Sequence, residues 1–262
     1  MTSPIFRELR LVEIRDSIDL LRLYKHGGDL LEIGAGTGWQ ADALSEAGYR
    51  VEAVDLPGTN ELSGHARART RPIRDYDGAH LPFPDEAFDV IYSSNVLEHV
   101  IELDTLNDEM KRVLRPDGVV LHLVPNSAWR LLSLVTYYPA QAVDALRWLK
   151  RRRASDAGTG AQSGSKSASE LSLVRKAVRR LFPAAHGSVG TPISELSRFS
   201  KKRWNDYFAR AGWEILHYGN NGVLASGDYL LGSRLPISVR RKMGRGTGGI
   251  AHVYLLRLRQ SA

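Results

Sequence analysis

The chain contains no cysteine. That excludes a disulfide scaffold, thiolate metal sites and a cysteine nucleophile, and it leaves the redox compartment open. No apolar run approaches the roughly 18 residues that a membrane-spanning helix needs. The opening residues, MTSPIFRELRLVEIRDS, are charged throughout and lack the apolar centre of a secretory signal. A cytoplasmic protein is therefore expected, soluble or peripheral on the inner face of the membrane. Internal repeats are missing as well. What is present is ordinary: 43% hydrophobic and 25% charged residues, enough for one core of moderate size and too apolar for wholesale disorder.

The formal net charge is +7, but the excess is local. Between Arg130 and Phe182 stand eleven Lys and Arg against three acids (Asp144, Asp156 and Glu170), an excess of eight. The rest of the chain is close to neutral, so the question of a charged partner belongs to this one segment.

Residues 5–25 carry Leu11, Ile14, Ile18 and Leu21 at helical spacing and stop at Gly27-Gly28, which predicts a helical cap over 1–28. The run Asp29–Ile33 reads as a strand, the glycine-rich stretch 34–38 as a turn, Gln40–Ala47 as a helix and Tyr49–Val54 as a second strand ending at Asp55. Strand, tight turn, helix, strand is the opening of a doubly wound α/β sheet. Further strands are expected at 88–93 and 119–124, with a helix over 102–114 stopped by the turn signal Arg115-Pro116-Asp117-Gly118. The alternation then fails across an insertion at 129–185. Its middle, 154–169, is rich in Gly, Ser and Ala and reads as a linker, and 171–182 returns to helical spacing. Ser200 is expected to cap a helix that runs to Ala211 before Gly212. Strands at 213–218 and 252–259 close a single domain.

Glycines between a strand and a helix let backbone and helix N-terminal N–H groups approach a ligand. Here Gly34, Gly36 and Gly38 alternate, unlike the G-x-G-x-x-G of a dinucleotide loop, and Asp55 at the next strand end suits ribose hydroxyls. The pattern fits a nucleoside with little need to cradle phosphate.

At this point LLEIGAGTG, VEAVDLP, DYDGAHLPFPDEAFDVIYSSNVLEHV and MKRVLRPDGVVLHLVPN, in that order between residue 30 and about 126, resemble the class I S-adenosylmethionine-dependent methyltransferases, in particular the type 11 small-molecule group and the ubiquinone-biosynthesis O-methyltransferases. The resemblance implies a Rossmann-like sheet of seven strands with the last antiparallel and a helical insertion after the fifth. It implies S-adenosyl-L-methionine as cofactor. Gly34, Ala35, Gly36 and Gly38, with Glu32 nearby, would hold the methionine part; Asp55 and Leu56 would hold the ribose side. Asp77 and Gly78 would meet the adenine, and Ser94 and Asn95 would flank the sulfonium.

Methyl transfer needs orientation and, for a hydroxyl acceptor, a base. The candidates are Glu98 and His99 after the fourth strand, and His186 in an HG segment that lies over the substrate pocket in small-molecule relatives. His99 reads equally as a residue that satisfies a loop. His122, on a buried-type strand, reads as a core residue. In the quinone enzymes the segment at 95–99 is Glu-x-x-Glu-His and is associated with a divalent metal. Asn95 stands in place of the first acid here and nothing has zinc spacing, so no metal is expected.

The expected reaction is O-methylation of a lipid-soluble or lipid-linked small molecule, a quinone-type phenol or a sugar hydroxyl. Aromatic and apolar residues beside Lys150–Arg153, followed by the basic amphipathic stretch 171–182, suit an anionic membrane surface contacted through 129–182. The alternatives are a soluble metabolite with the insertion as a plain lid, an RNA substrate, which the absence of an appended RNA-binding module disfavours, and a catalytically silent cofactor-binding module.

Overall fold

The computed structural model describes residues 4–58, 69–156, 186, 191–224, 235–247 and 249–259. Seven strands make one sheet: β1 (Gly28–Ile33), β2 (Tyr49–Asp55), β3 (Arg74–Asp75), β4 (Phe88–Ser94), β5 (Leu114–Pro125), β6 (Trp213–Asn220) and β7 (Ala251–Leu258). Their order is β3-β2-β1-β4-β5-β7-β6. Pairings among β1 to β5 are parallel, and β7 runs antiparallel to both its neighbours, as the motif order implies. The helices are α1 (Pro4–Arg22), α2 (Trp39–Glu46), α3 (Leu103–Val113), α4 (Ser127–Asp156), α5 (Ser194–Arg198), α6 (Lys201–Arg210) and α7 (Ile237–Thr247).

The central strands are apolar on both faces because both are covered. Side chains alternate along a strand, so Leu30 and Leu31 of β1, both fully buried, enter different cores. Leu31 packs in the core that holds Ile91, Leu106, Met110 and Val113 together with Trp204 and Phe208 of α6. Leu30 packs in the core that α1 and α2 supply with Ile14, Ile18, Leu21, Ala41 and Leu44. Ser200 caps α6 by accepting from the Arg203 N–H, and Gly212 follows the helix end at φ 85°.

Three expectations change. The stretch 115–118 does not end an element, because β5 begins before it. Leu114 pairs with Phe88 and Val119 with Val90, so the four residues bulge out of a continuing strand. Arg115 of the bulge donates to Asp89 at 2.5 Å and to Asp29 at 3.0 Å, which gives the protruding segment two anionic partners. Residues 129–149, unassigned by periodicity, lie inside the helix α4, which carries Pro139 in its interior. The helices α5 and α7 were not anticipated. The linker beyond residue 156 and the helix expected at 171–182 lie outside the described residues.

One topological feature positions everything that follows. β1 has β2 on one side and β4 on the other. The loops leaving the carboxyl ends of β1 and β4 therefore lead to helices on opposite faces of the sheet, the switch point at which such sheets form a binding crevice.

Candidate functional site

The turn after β1 occupies that crevice. Gly34, Gly36 and Gly38 have φ of 76°, 59° and 89°, a region in which only glycine is at ease. The glycines do different work. A Cβ on Gly34 would run into Val96 beyond β4, so this position lets the two loops pack. A Cβ on Gly36 would meet no atom within 4 Å, so this position faces the open crevice. Asp55, 6% exposed at the end of β2, fixes the turn. Its Oδ2 accepts from the Gly36 N–H at 2.5 Å and its Oδ1 from the Leu56 N–H at 2.7 Å. The N–H groups of Gly34 and Ala35 both bond to the Val54 carbonyl.

Glu32 lies beneath the turn, 1% exposed, with one oxygen lacking a hydrogen-bond partner. Burial pushes its carboxyl up to about 8, against the pull of Arg10 and Arg71. At pH 7 the carboxyl is therefore mostly protonated. A ligand ammonium or sulfonium brought beside it favours the carboxylate and expels the proton. Cofactor binding at pH 7 is thus expected to release a proton, read as a calorimetric heat that changes between buffers of different ionisation enthalpy. Equal heats in the two buffers would count against Glu32 as a cofactor neighbour.

A network that the sequence did not reveal closes the other wall. Arg10 of α1 donates to Glu13 at 2.9 Å, to Ser94 Oγ at 3.0 Å and to Gln40 at 3.1 Å. Ser94 Oγ donates to Glu13 at 3.1 Å, and the Gln40 amide donates to the Tyr92 hydroxyl at 3.0 Å. Helices α1 and α2 are thereby tied to the end of β4. The available signal was Arg10, Glu13 and Ser17 interleaved with the apolar face of α1, polar groups where a helix facing a core should carry none. Asn95, next along, takes φ 56° and donates its side-chain N–H to Ser94 Oγ at 3.2 Å.

Beyond Asp55, the Tyr76 N–H bonds to the Asp55 carbonyl and leads into Asp77-Gly78. Asp77 accepts from the N–H groups of Ala79 and His80, and its other oxygen meets the His80 ring at 2.8 Å. The His80 N–H, then the His80 ring, hold its carboxyl far below the usual range. Asp77 is a turn-forming anion with exposed oxygens beside Leu56 and Gly78.

The second cluster stands beyond the carboxyl end of β4, the parallel neighbour of β1. A single 3₁₀ turn at Leu97–His99 follows β4. The Glu98 side chain is wholly buried, and neither oxygen has a hydrogen bond. His186 Nε2 lies 3.6 Å and His99 Nε2 3.9 Å from Glu98 Oε1. The two imidazoles are 5.2 Å apart, with Trp129 edge-on to His186 at 4.7 Å. Burial holds His99 below the ordinary imidazole range, with Glu98 opposing, so its neutral form is favoured. Glu195 of α5 accepts from the His186 N–H at 2.7 Å and pairs with Arg130 of α4 at 2.7 Å. The structure thus brings the three sequence candidates, Glu98, His99 and His186, into one group. Three potential metal-ligand atoms of this group lie within 4.8 Å of one another, a gathering that no spacing in the sequence indicated. Sequence spacing could not reveal this, because His186 arrives from beyond the insertion. His122 is fully buried, bonded to Ser93 Oγ at 2.8 Å, and belongs to the core.

Comparison with known proteins adds the following. Residues 31–122 match the family model described as "Methyltransferase domain". An uncharacterised methyltransferase of Mycolicibacterium vanbaalenii is 41% identical over 100 residues, covering 36% of this chain and 38% of the relative. A ubiquinone/menaquinone biosynthesis C-methyltransferase of Cupriavidus pinatubonensis is 30% identical over 140 residues, covering 51% of this chain and 57% of the relative. The chain therefore spans about two to three fifths of the curated relatives it matches. Among solved structures, an S-adenosylmethionine-dependent methyltransferase from Mesorhizobium loti shares the fold at 15% identity, covering 95% of this chain and 99% of that one, with a TM-score of 0.52. A 1,6-didemethyltoxoflavin-N1-methyltransferase from Burkholderia thailandensis shares it at 15% identity, covering 95% and 79%, with a TM-score of 0.50.

Proposed function

We infer that this chain, whose residues 31–122 belong to the class I S-adenosylmethionine-dependent methyltransferase domain family, transfers the methyl group of S-adenosyl-L-methionine to an oxygen of a lipid-soluble or lipid-linked small molecule. The observation that carries the reading is the presence of two sites at the carboxyl ends of neighbouring parallel strands. After β1 stands a glycine turn held by Asp55, and after β4 a buried carboxyl group with two imidazoles.

Methyl transfer is an in-line displacement, and the cofactor supplies the electrophile. The chain's own residues bind, orient and handle the proton. Glu32, Gly34–Gly38, Asp55 and Leu56 seat the methionine and ribose parts, and Asp77 and Gly78 the base. Ser94 and Asn95 place the sulfonium at the end of β4. As the new O–C bond forms, the acceptor hydroxyl must lose its proton. In the protein without a metal, His99 or His186 takes it, and Glu98 stabilises the resulting imidazolium. The Cupriavidus relative is named a C-methyltransferase. A phenol that loses its proton is also activated at the adjacent ring carbon, so the same cluster serves that second outcome.

Helix α4 supports the lipid part of the proposal. Leu131, Val135 and Tyr138, at i, i+4 and i+7, are 54%, 63% and 56% exposed, which places an apolar stripe outward. The same helix carries Lys150–Arg153, and anionic lipid contributes about 1 kcal/mol per basic residue near the surface. Among the described residues no helix is long and apolar enough to cross a membrane.

The test uses methyl-labelled cofactor, the purified chain and an extract of source cells, with Asp55→Ala as control. Enzyme-dependent label is expected in the organic phase, on oxygen, and label on a ring carbon would select the second outcome. Label confined to the aqueous phase would overturn the lipid acceptor and favour a soluble metabolite; loss of label on ribonuclease treatment would identify RNA. The triple substitution of Leu131, Val135 and Tyr138 by Ser should abolish co-sedimentation with anionic vesicles at low salt. Unchanged sedimentation would remove the membrane contact.

A further inference from the structure

We propose that Glu98, His99 and His186 form a binding site for a divalent first-row transition metal ion.

The geometry comes first. Glu98 Oε1 stands 3.6 Å from His186 Nε2 and 3.9 Å from His99 Nε2. Metal–nitrogen and metal–oxygen bonds of about 2.0–2.2 Å place ligand atoms roughly 3–3.5 Å apart. Small rotations of the two half-exposed imidazoles close the remaining gap, while the buried carboxylate stays in place.

The second observation is the state of Glu98. Its side chain is wholly buried and both oxygens lack hydrogen bonds. A buried carboxyl group without hydrogen bonds is costly, and a coordinated cation is one of the few ways to compensate it. The ligand chemistry then narrows the ion. Two imidazoles and one carboxylate suit zinc, iron, cobalt or manganese better than magnesium or calcium, which prefer oxygen alone.

Support around the ligands is also built in. Glu195 fixes the His186 backbone at 2.7 Å and is itself paired with Arg130. Such outer partners hold a ligand in its orientation. This donor set differs from the Glu-x-x-Glu-His pattern of the quinone enzymes. Asn95 stands where that pattern has its first acid, and its amide turns to Ser94; here His186 completes the set from beyond the insertion.

The site's link to catalysis rests on the function proposed above. A metal ion there would lower the pKa of an acceptor hydroxyl. The binding itself does not depend on which acceptor is used.

Cobalt(II) is the probe, because its visible d–d bands report a nitrogen- and oxygen-ligated site. Titration of the full chain is expected to give saturable bands at one equivalent, displaced by zinc. Glu98→Gln and His186→Gln should each weaken binding by tenfold or more. Cofactor affinity, measured in parallel by calorimetry, is expected to stay unchanged in both variants, so failure of the metal site is separable from failure of the cofactor site. His186 is half-exposed, so its variant keeps the test valid if Glu98→Gln proves unstable. Absence of the bands, or equal binding in wild type and both variants, would overturn the proposal.

Discussion

Gly36→Val is expected to abolish cofactor binding while leaving the protein folded. A valine at Gly36 projects into the crevice, where its Cβ meets no protein atom within 4 Å. The fold therefore loses only the backbone term, about 1–2 kcal/mol for a residue with a Cβ held in the left-handed region. A ligand that backs onto the turn meets the whole side chain. The comparison that makes this decisive is Gly34→Ala. Its methyl group collides with Val96, between two loops already in contact. Overpacking adds about 1–3 kcal/mol to the backbone term, and the melting temperature should fall on the order of 10 °C. The two glycines thus separate, one failing in binding and one in stability. Calorimetric affinity for the cofactor and thermal unfolding of both variants check this. Wild-type affinity in Gly36→Val would defeat the site assignment.

Glu98→Gln should lower kcat by about 10²–10⁴-fold, the range a positioned acid–base group contributes, with cofactor affinity unchanged and stability equal or higher. The substitution preserves volume and removes a buried charge that has no hydrogen bond. A carboxylate kept for packing would show the opposite: activity retained and stability lost. A more stable and less active variant is the signature of a group held at a cost for function. Single-turnover rates together with denaturant unfolding distinguish the two. Normal turnover in Glu98→Gln would remove the cluster from the chemistry.

The half of the candidate site proposed to hold the cofactor was legible in the sequence because it is local. Strand, turn, helix and strand run without interruption from Gly28 to Asp55, and the periodicity that marks each element also places Gly34, Gly36 and Asp55 at its ends. The half proposed to meet the acceptor was legible only as separate candidates. Glu98 and His99 are adjacent, but the group is completed by His186, held by Glu195 and Arg130 from two other helices. No spacing rule reaches across an insertion. Arg10 was missed for a different reason. Charges on such a helix normally read as a solvated face; their interleaving with its apolar residues was the one contrary sign, and the contacts with Ser94 show that Arg10 and Glu13 look inward. The Pro116-Asp117-Gly118 signal was misread because turn chemistry is the same whether a strand ends or bulges. The pairings of Leu114 and Val119 decide between the two.

Arg130 and Leu131 are neighbours on α4, yet one is 5% exposed and holds Glu195, while the other is 54% exposed on the outer stripe. The first turn of that helix therefore joins two environments within one peptide unit. Inward, Arg130 holds Glu195, which in turn holds the backbone N–H of His186. A substitution that shifts the first turn of α4 is accordingly expected to reach His186 through this pair, even when it is made on the exposed face.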